Sequence, residues 1–325
     1  MKKNIAIIMG GYSSEVGISL KSGNVVYKHL NKEKYNPYKI HILKDKWVLV
    51  DDDEIEYPIN KHDFSAEIKG AKITFDVVFN AIHGTPGENG VILAYFDLIG
   101  LKHTSAPFYQ MALTFNKRDT LSVVKEYGIP AATSVYLNKG DKISTSAIIE
   151  KVGLPCFVKP NGAGSSFGIS KVYTQEELIP AINKAYEEDS EILIESFLDG
   201  TEVSVGVIQY KGETKVLPIT EIVSDNDFFD YKAKYEGESQ EITPARLTKE
   251  QEVKVNDIAK RVYEILNMSG FSRSEYILVN DEPHFLEMNT VPGLTEASIL
   301  PQQANHANIS LTELFGNAIE MALNN

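Results

Sequence analysis

The chain has 325 residues, 43% of them hydrophobic and 24% charged, and its 45 acidic against 32 basic side chains give a formal net charge of −13. That length predicts two or three compact units rather than one core, in a soluble globular composition. The charge argues against a nucleic-acid partner, whose phosphates it repels, and the lack of any run of about 18 apolar residues excludes a spanning helix and a membrane partner of that kind.

The start is basic and then apolar, but the apolar part covers only residues 5–9 and ends at Gly10-Gly11. This predicts a first β-strand and its turn, not a signal peptide. A helix is predicted after Ser13-Ser14-Glu15 to about Leu30, then a strand at 38–43, a hairpin-like arm around Trp47–Val50, a strand at 75–82 and a helix at 91–99. Such alternation implies an open, mostly parallel α/β sheet, whose ligands gather at the carboxyl ends of the strands. Two loops leave those ends, residues 10–15 and 83–90.

Further on, helices are predicted at 117–127 and 174–186, the second opened by a Thr174/Glu177 capping box, with strands at 134–137, 155–159 and 168–172. The lone cysteine, Cys156, excludes an internal disulfide, fits a reducing cytoplasm and reads as a buried, inert thiol. Strands follow at 192–195, 202–210 and 214–221, then a polar stretch at 223–243 that is too long for an ordinary connection. Its aromatics, Phe228, Phe229, Tyr231 and Tyr235, favour a lid over disorder. A helix at 248–266 carries a Thr248/Gln251 capping box and an apolar face of Val255, Ile258, Ala259, Val262 and Leu266. The units are expected at 1–105, 106–196 and 197–325.

Two segments carry chemistry. Glu287 and Asn289 lie two apart at the end of an apolar run, so in a strand they share a face. With Glu275 in the strand upstream and a turn at 280–283, they offer hard oxygen ligands of the kind Mg2+ prefers. The second segment runs from Lys159 to Gly168, where glycines and Ser165 and Ser166 let backbone N–H groups and hydroxyls close over phosphate oxygens beside a lysine. Its order is neither a Walker A loop nor a GxGxxG fingerprint.

The order of these residues resembles the ATP-grasp superfamily, and within it the D-alanine:D-alanine ligase family, over nearly the whole length. The matching pieces are GGYSSE, HGTPGENG, KPNGAGSSFGISKV, ESFLDGTEVSVGV, DYKAKY, the PAR at Pro244 to Arg246, and FLEMNTVPGLTEASILP. The resemblance implies an ATP-grasp fold: an N-terminal, mostly parallel α/β domain with the first D-alanine site, and two α+β lobes gripping ATP. It implies ATP-dependent joining of two D-alanines through an acyl phosphate for peptidoglycan precursors, in a cytoplasmic homodimer using two Mg2+ ions, or Mn2+. Lys117, Lys159 and Ser166 would contact the nucleotide phosphates, Glu195, Phe197, Leu198 and Leu286 the adenine, Glu202 the ribose, and Lys234 the terminal phosphates. Glu275, Glu287 and Asn289 match the metal ligands. Glu15 matches the residue holding the first ammonium group, with His83 nearby. Arg273 and the Gly293 N–H match the oxyanion stabilisers, and Ser298 and Ile299 the contacts of the second carboxylate. Ser165 and Tyr235 would close the lid on Glu15.

The chain departs from the family pattern where Glu275 replaces a usual Asp, where Glu15-Val16-Gly17-Ile18-Ser19 lacks the usual histidine after Glu15, at Asn89, and at 114–117. The rivals are D-alanine:D-lactate and D-alanine:D-serine ligases, another ATP-grasp carboxylate-amine ligase, and an ATP-binding regulatory protein without catalysis. Lys234-Tyr235, with no histidine between Ala106 and Pro283, favours dipeptide formation. Simple structural roles stand beside the functional ones: Glu15 as a first-turn carboxylate, His83 as a turn cap, Ser298 as a strand-end hydroxyl.

Overall fold

The computed structural model describes residues 2–162, 167–224 and 239–324. Ser165, Ser166, Lys234, Tyr235 and most of the expected lid lie outside the described residues. At the centre of the first sheet is β1 (Lys3–Gly10), which pairs in parallel with β2 (Tyr35–Ile42) on one side. On the other side lies β7 (Val77–Asn80), also parallel, followed by parallel β8 (Lys102–His103). Strand β1 is apolar on both faces because both are covered. Ile5, Ile7 and Met9 share a core with Val26 of the Val16–His29 helix and Phe315 and Ile319 of the Leu311–Asn324 helix, while Ala6 and Ile8 share one with Ile92 and Phe96 of the Val91–Leu98 helix.

The parallel expectation holds for these four strands. Beyond β2 the sheet continues as an antiparallel meander of β3 (Trp47–Val50), β4 (Glu56–Asn60), β5 (Ser65–Ile68) and β6 (Ala71–Ile73). Sequence patterning shows only the first of these, because β4 and β6 are short, exposed and charged. What fastens the meander is Phe64, buried and ringed by Trp47, Phe75, Tyr95 and Phe96.

The second sheet is antiparallel throughout, built from β9 (Ser134–Asn138), β10 (Cys156–Pro160), β11 (Ser170–Val172) and β12 (Glu191–Ser196). The helices Thr145–Val152 and Gln175–Glu188 pack on it, the latter opened by the Thr174/Glu177 box. Cys156 is buried, and burial pushes its thiol up to about 11, which keeps it inert.

The third sheet holds β13 (Thr201–Tyr210), β14 (Glu213–Val216), β15 (Thr220–Ser224), β16 (Ser239–Ile242), β17 (Phe271–Val279) and β18 (Glu282–Asn289), with antiparallel neighbours in the order β16-β15-β13-β17-β18. The single strand expected at 214–221 is two, because Pro218 has no N–H to continue a ladder. The expected lid begins and ends as paired strand: Val223 faces Gln240 across β15 and β16. The turn at 280–283 is tighter than expected. Asn280 and Asp281 alone form it, both with positive φ, as a type I′ hairpin demands, and Pro283 is already in the edge strand β18. Among the described residues no helix is long and apolar enough to cross a membrane.

Candidate active site

The second and third sheets face each other across a cavity of about 430 Å³. Its walls bring together Lys117, Lys159, Glu195, Phe197, Leu198, Glu202, Glu275, Leu286 and Glu287, which come from six separate stretches of sequence. Strand β12 ends at Ser196 and β13 begins at Thr201, so 197–200 is the connection between the sheets. It must pass very close to β17: a Cβ on Gly200 would meet the Leu278 carbonyl oxygen at 2.0 Å. Phe157, Leu193, Phe197, Ile277 and Leu286 give the cavity an apolar slot beside this connection, fit for a planar heterocycle, with Glu202 and the two lysines as its polar fixtures.

Lys159 Nζ lies 2.8 Å from a Glu195 carboxylate oxygen. Burial pulls the lysine pKa down, but Glu195, then Glu287 and Glu202, more than offset this, so the pKa is raised and the ammonium stays charged. Lys117 opens the Lys117–Glu126 helix and reaches within 3.5 Å of Glu287. Asn116, at a departure from the family run, N-caps that helix by accepting the Asp119 N–H at 3.0 Å.

On the β17·β18 hairpin Glu275 stands directly opposite Glu287, and Arg273 opposite Asn289, so all four residues share one face. A bulge at this point leaves Leu286 as the extra residue, which allows sequence neighbours Leu286 and Glu287 both to line the cavity. Like charges facing across a ladder repel. Here Arg273 Nη1 bonds Glu275 at 2.7 Å while Lys117 faces Glu287. Asn289 Nδ2 is buried and finds no partner among the described residues. Two carboxylates and an amide on one face fit a divalent cation. Among the described residues no three His, Cys, Asp or Glu side chains group as ligands.

A second group of residues sits at the carboxyl ends of β1 and β7. Glu15 stands at the N-cap of the Val16–His29 helix, and a Cβ on Gly84 would lie 3.0 Å from its carboxylate, so Glu15 rests on bare backbone at a residue with φ of +66°. His83 is buried, its Nε2 3.0 Å from Ser22 Oγ. Burial holds its pKa down against the opposing charge of Glu15. Ser298 is not a strand-end residue. It stands at the N-cap position of the Ile299–His306 helix without a side-chain capping bond, and its hydroxyl lies 2.7 Å from Thr295 Oγ1 and 2.7 Å from where a Cβ on Gly293 would stand. The Ile299 N–H therefore belongs to a helix start, where a carboxylate is favoured.

Glu88, to which the sequence reading gives no role, joins the two groups. Its carboxylate accepts the Gly84 N–H at 3.0 Å and interacts with Glu15 on one side and Lys117 on the other. Burial, then the charge of Glu15, pushes its pKa up from 4.5 to about 7. No local signal in His83 to Gly90 announces this, since Glu15 arrives from the start of the Val16–His29 helix.

Residues 4–106 match the family described as D-ala D-ala ligase N-terminus, and residues 123–320 its C-terminus. The chain belongs to the D-Ala–D-Ala ligase family. It is 69% identical over 321 residues to the D-alanine–D-alanine ligase of Flavobacterium johnsoniae, covering 99% of each chain. It is 61% identical over 324 residues to that of Christiangramia forsetii, covering 100% of this chain and 99% of the other. Among solved structures it resembles a D-Ala:D-Ser ligase from Enterococcus faecalis, with a TM-score of 0.87 and 29% identity over 99% of this chain and 100% of that one. It also resembles the Bacillus anthracis D-alanine–D-alanine ligase complexed with ATP, with a TM-score of 0.80 and 27% identity over 99% and 98% of the two chains. The fold is ATP-grasp.

Within this ligase-family fold, Glu88 supplies a pH test. Between 4.5 and about 7 the folded protein keeps a proton that the unfolded chain has released, so this carboxyl lowers stability as pH rises through that window and adds no further loss above it. Glu88→Gln keeps the acceptor without the charge. Its stability relative to the parent is expected to grow from pH 5 to pH 8 in urea unfolding. A constant offset across that range contradicts the assignment.

Proposed function

We propose that the protein joins two D-alanine molecules, forming D-alanyl-D-alanine, ADP and phosphate by way of a D-alanyl phosphate. The observation that carries this reading is the shared face of Arg273, Glu275, Glu287 and Asn289, which borders the nucleotide-sized cavity and leads directly into the Gly293 turn. A carboxylate is a poor acyl donor until it is phosphorylated, and phosphoryl transfer asks for charge neutralisation and alignment rather than covalent help.

Adenine would lie along Glu195, Phe197 and Leu198 against Leu286, with the ribose hydroxyls on Glu202. Lys117 and Lys159 would hold the phosphates. Glu275, Glu287 and Asn289 would hold two Mg2+ ions, or Mn2+, which when bound draw charge from the transferred group. Glu15 would anchor the ammonium of the first D-alanine. The carboxylate of the second would sit at Ser298 and Ile299, where its amine reaches the acyl phosphate. Arg273 and the Gly293 N–H would then stabilise the oxygen of the tetrahedral intermediate. The working form would be a cytoplasmic homodimer.

A fold shared with a D-Ala:D-Ser ligase does not choose the acceptor, and the far greater sequence likeness to D-alanine–D-alanine ligases favours D-alanine. An ADP-release assay tests the whole reading. Release is expected only with ATP, Mg2+ and D-alanine together, with L-alanine a poor substrate. No release with D-alanine, or equal turnover with D-lactate as acceptor near neutral pH, refutes it.

A further inference from the structure

Ser22 lies within the Val16–His29 helix and is fully buried, where a hydroxyl needs partners. Its Oγ accepts the Leu294 backbone N–H at 3.2 Å and lies 3.0 Å from His83 Nε2. Among the described residues the hydroxyl proton has no other acceptor, so it is donated to Nε2, which is then the unprotonated nitrogen of the ring. The imidazole proton is left on Nδ1. The ring's other hydrogen-bonding neighbour is the Val291 backbone, whose carbonyl can only accept. One neutral ring is thus strung between residues 291 and 294, the two sides of the turn that carries Gly293. Val291 and Leu294 are themselves buried, so the turn has little freedom once these bonds are made.

We infer that Ser22 and His83 are positioning residues that brace the 291–294 turn and aim the Gly293 N–H, and that His83 offers no free ring nitrogen to substrate. The inference rests on the proposed ligation, in which that N–H meets developing charge. Such a donor acts only when it is held in place beforehand, and a displacement of about 1 Å is enough to cost on the order of 100-fold in rate. The charged groups facing the ring are Glu15 and Arg273, of opposite sign, and burial keeps the imidazole neutral between them.

Ser22→Ala tests this, since alanine suits a helix interior. The variant is expected to lose roughly 10- to 100-fold in kcat with the KM values for ATP and D-alanine changed by less than about threefold. Ser22→Cys, a weak donor, is expected to fall between. Nitrogen-15 NMR of the His83 ring in the full-length protein should report the Nδ1–H tautomer in the parent, and in Ser22→Ala the same tautomer with Nε2 moved downfield by the loss of its hydroxyl donor. An unchanged kcat, or a raised KM for D-alanine at constant kcat, overturns the brace. A parent that does not ligate D-alanine removes the proposed function itself, and the NMR arm still decides the brace: an Nε2-protonated or charged ring overturns it.

Discussion

Glu287→Gln is expected to abolish ligation while leaving the fold intact. The glutamine keeps the size and the oxygen of the side chain but removes the charge that, with Glu275, would neutralise the metal ions. Lewis-acid stabilisation of a transferring phosphoryl group is worth several kcal/mol, so kcat should fall by about 10³-fold or more at saturating Mg2+. Stability separates this from a structural defect. Glu275 and Glu287 face each other in register, an arrangement that repels without a cation between them. Removing one charge relieves that repulsion, offset in part by loss of the 3.5 Å contact with Lys117. The Tm of the metal-free variant should hold within about 2 °C or rise. An unchanged kcat, or a Tm that falls far below the parent's, contradicts the metal assignment.

Lys159→Met should lower both activity and stability, for different reasons. Lys159 keeps 17% side-chain exposure and Glu195 only 5%, so the change leaves a nearly sealed carboxylate without its cation. The cost is expected at about 2–4 kcal/mol, slightly below the range for a fully buried pair because the lysine reaches solvent. Adding Glu195→Gln removes the stranded charge and should return most of that stability. Activity should not return, because the cation that would meet the phosphates is still missing. Urea unfolding and kcat/KM measured on the four members of this cycle separate the two effects. A double variant that recovers turnover would show that Lys159 serves only to satisfy Glu195.

How far the sequence announced this molecule depends on the range of each interaction. Strand β1, its helix and the Thr248/Gln251 start were legible because apolar periodicity and capping are local. The face shared by Glu287 and Asn289 was legible from their spacing, and its partnership with Glu275 from the short turn between the strands. The bulge that brings Leu286 into the cavity was not, since it depends on how two strands slip past each other. Helices Phe108–Phe115 and Thr145–Val152 escaped because two turns give too few apolar repeats to stand out. Glu88 and Ser22 read as turn and helix residues until the fold sets Glu15 beside one and His83 and Leu294 beside the other. The roles expected of Glu15, Arg273 and Ser298 came from resemblance, not from spacing, and they stand here as proposals.

In the proposed ligation the carboxylate of one D-alanine attacks ATP before the amine of the other attacks the carbonyl. D-Alanine labelled with oxygen-18 in its carboxylate tests it most directly, with mass spectrometry of the released phosphate and of the dipeptide. One labelled oxygen is expected in each phosphate, formed in step with D-alanyl-D-alanine. Unlabelled phosphate, or ADP released without dipeptide, would contradict it.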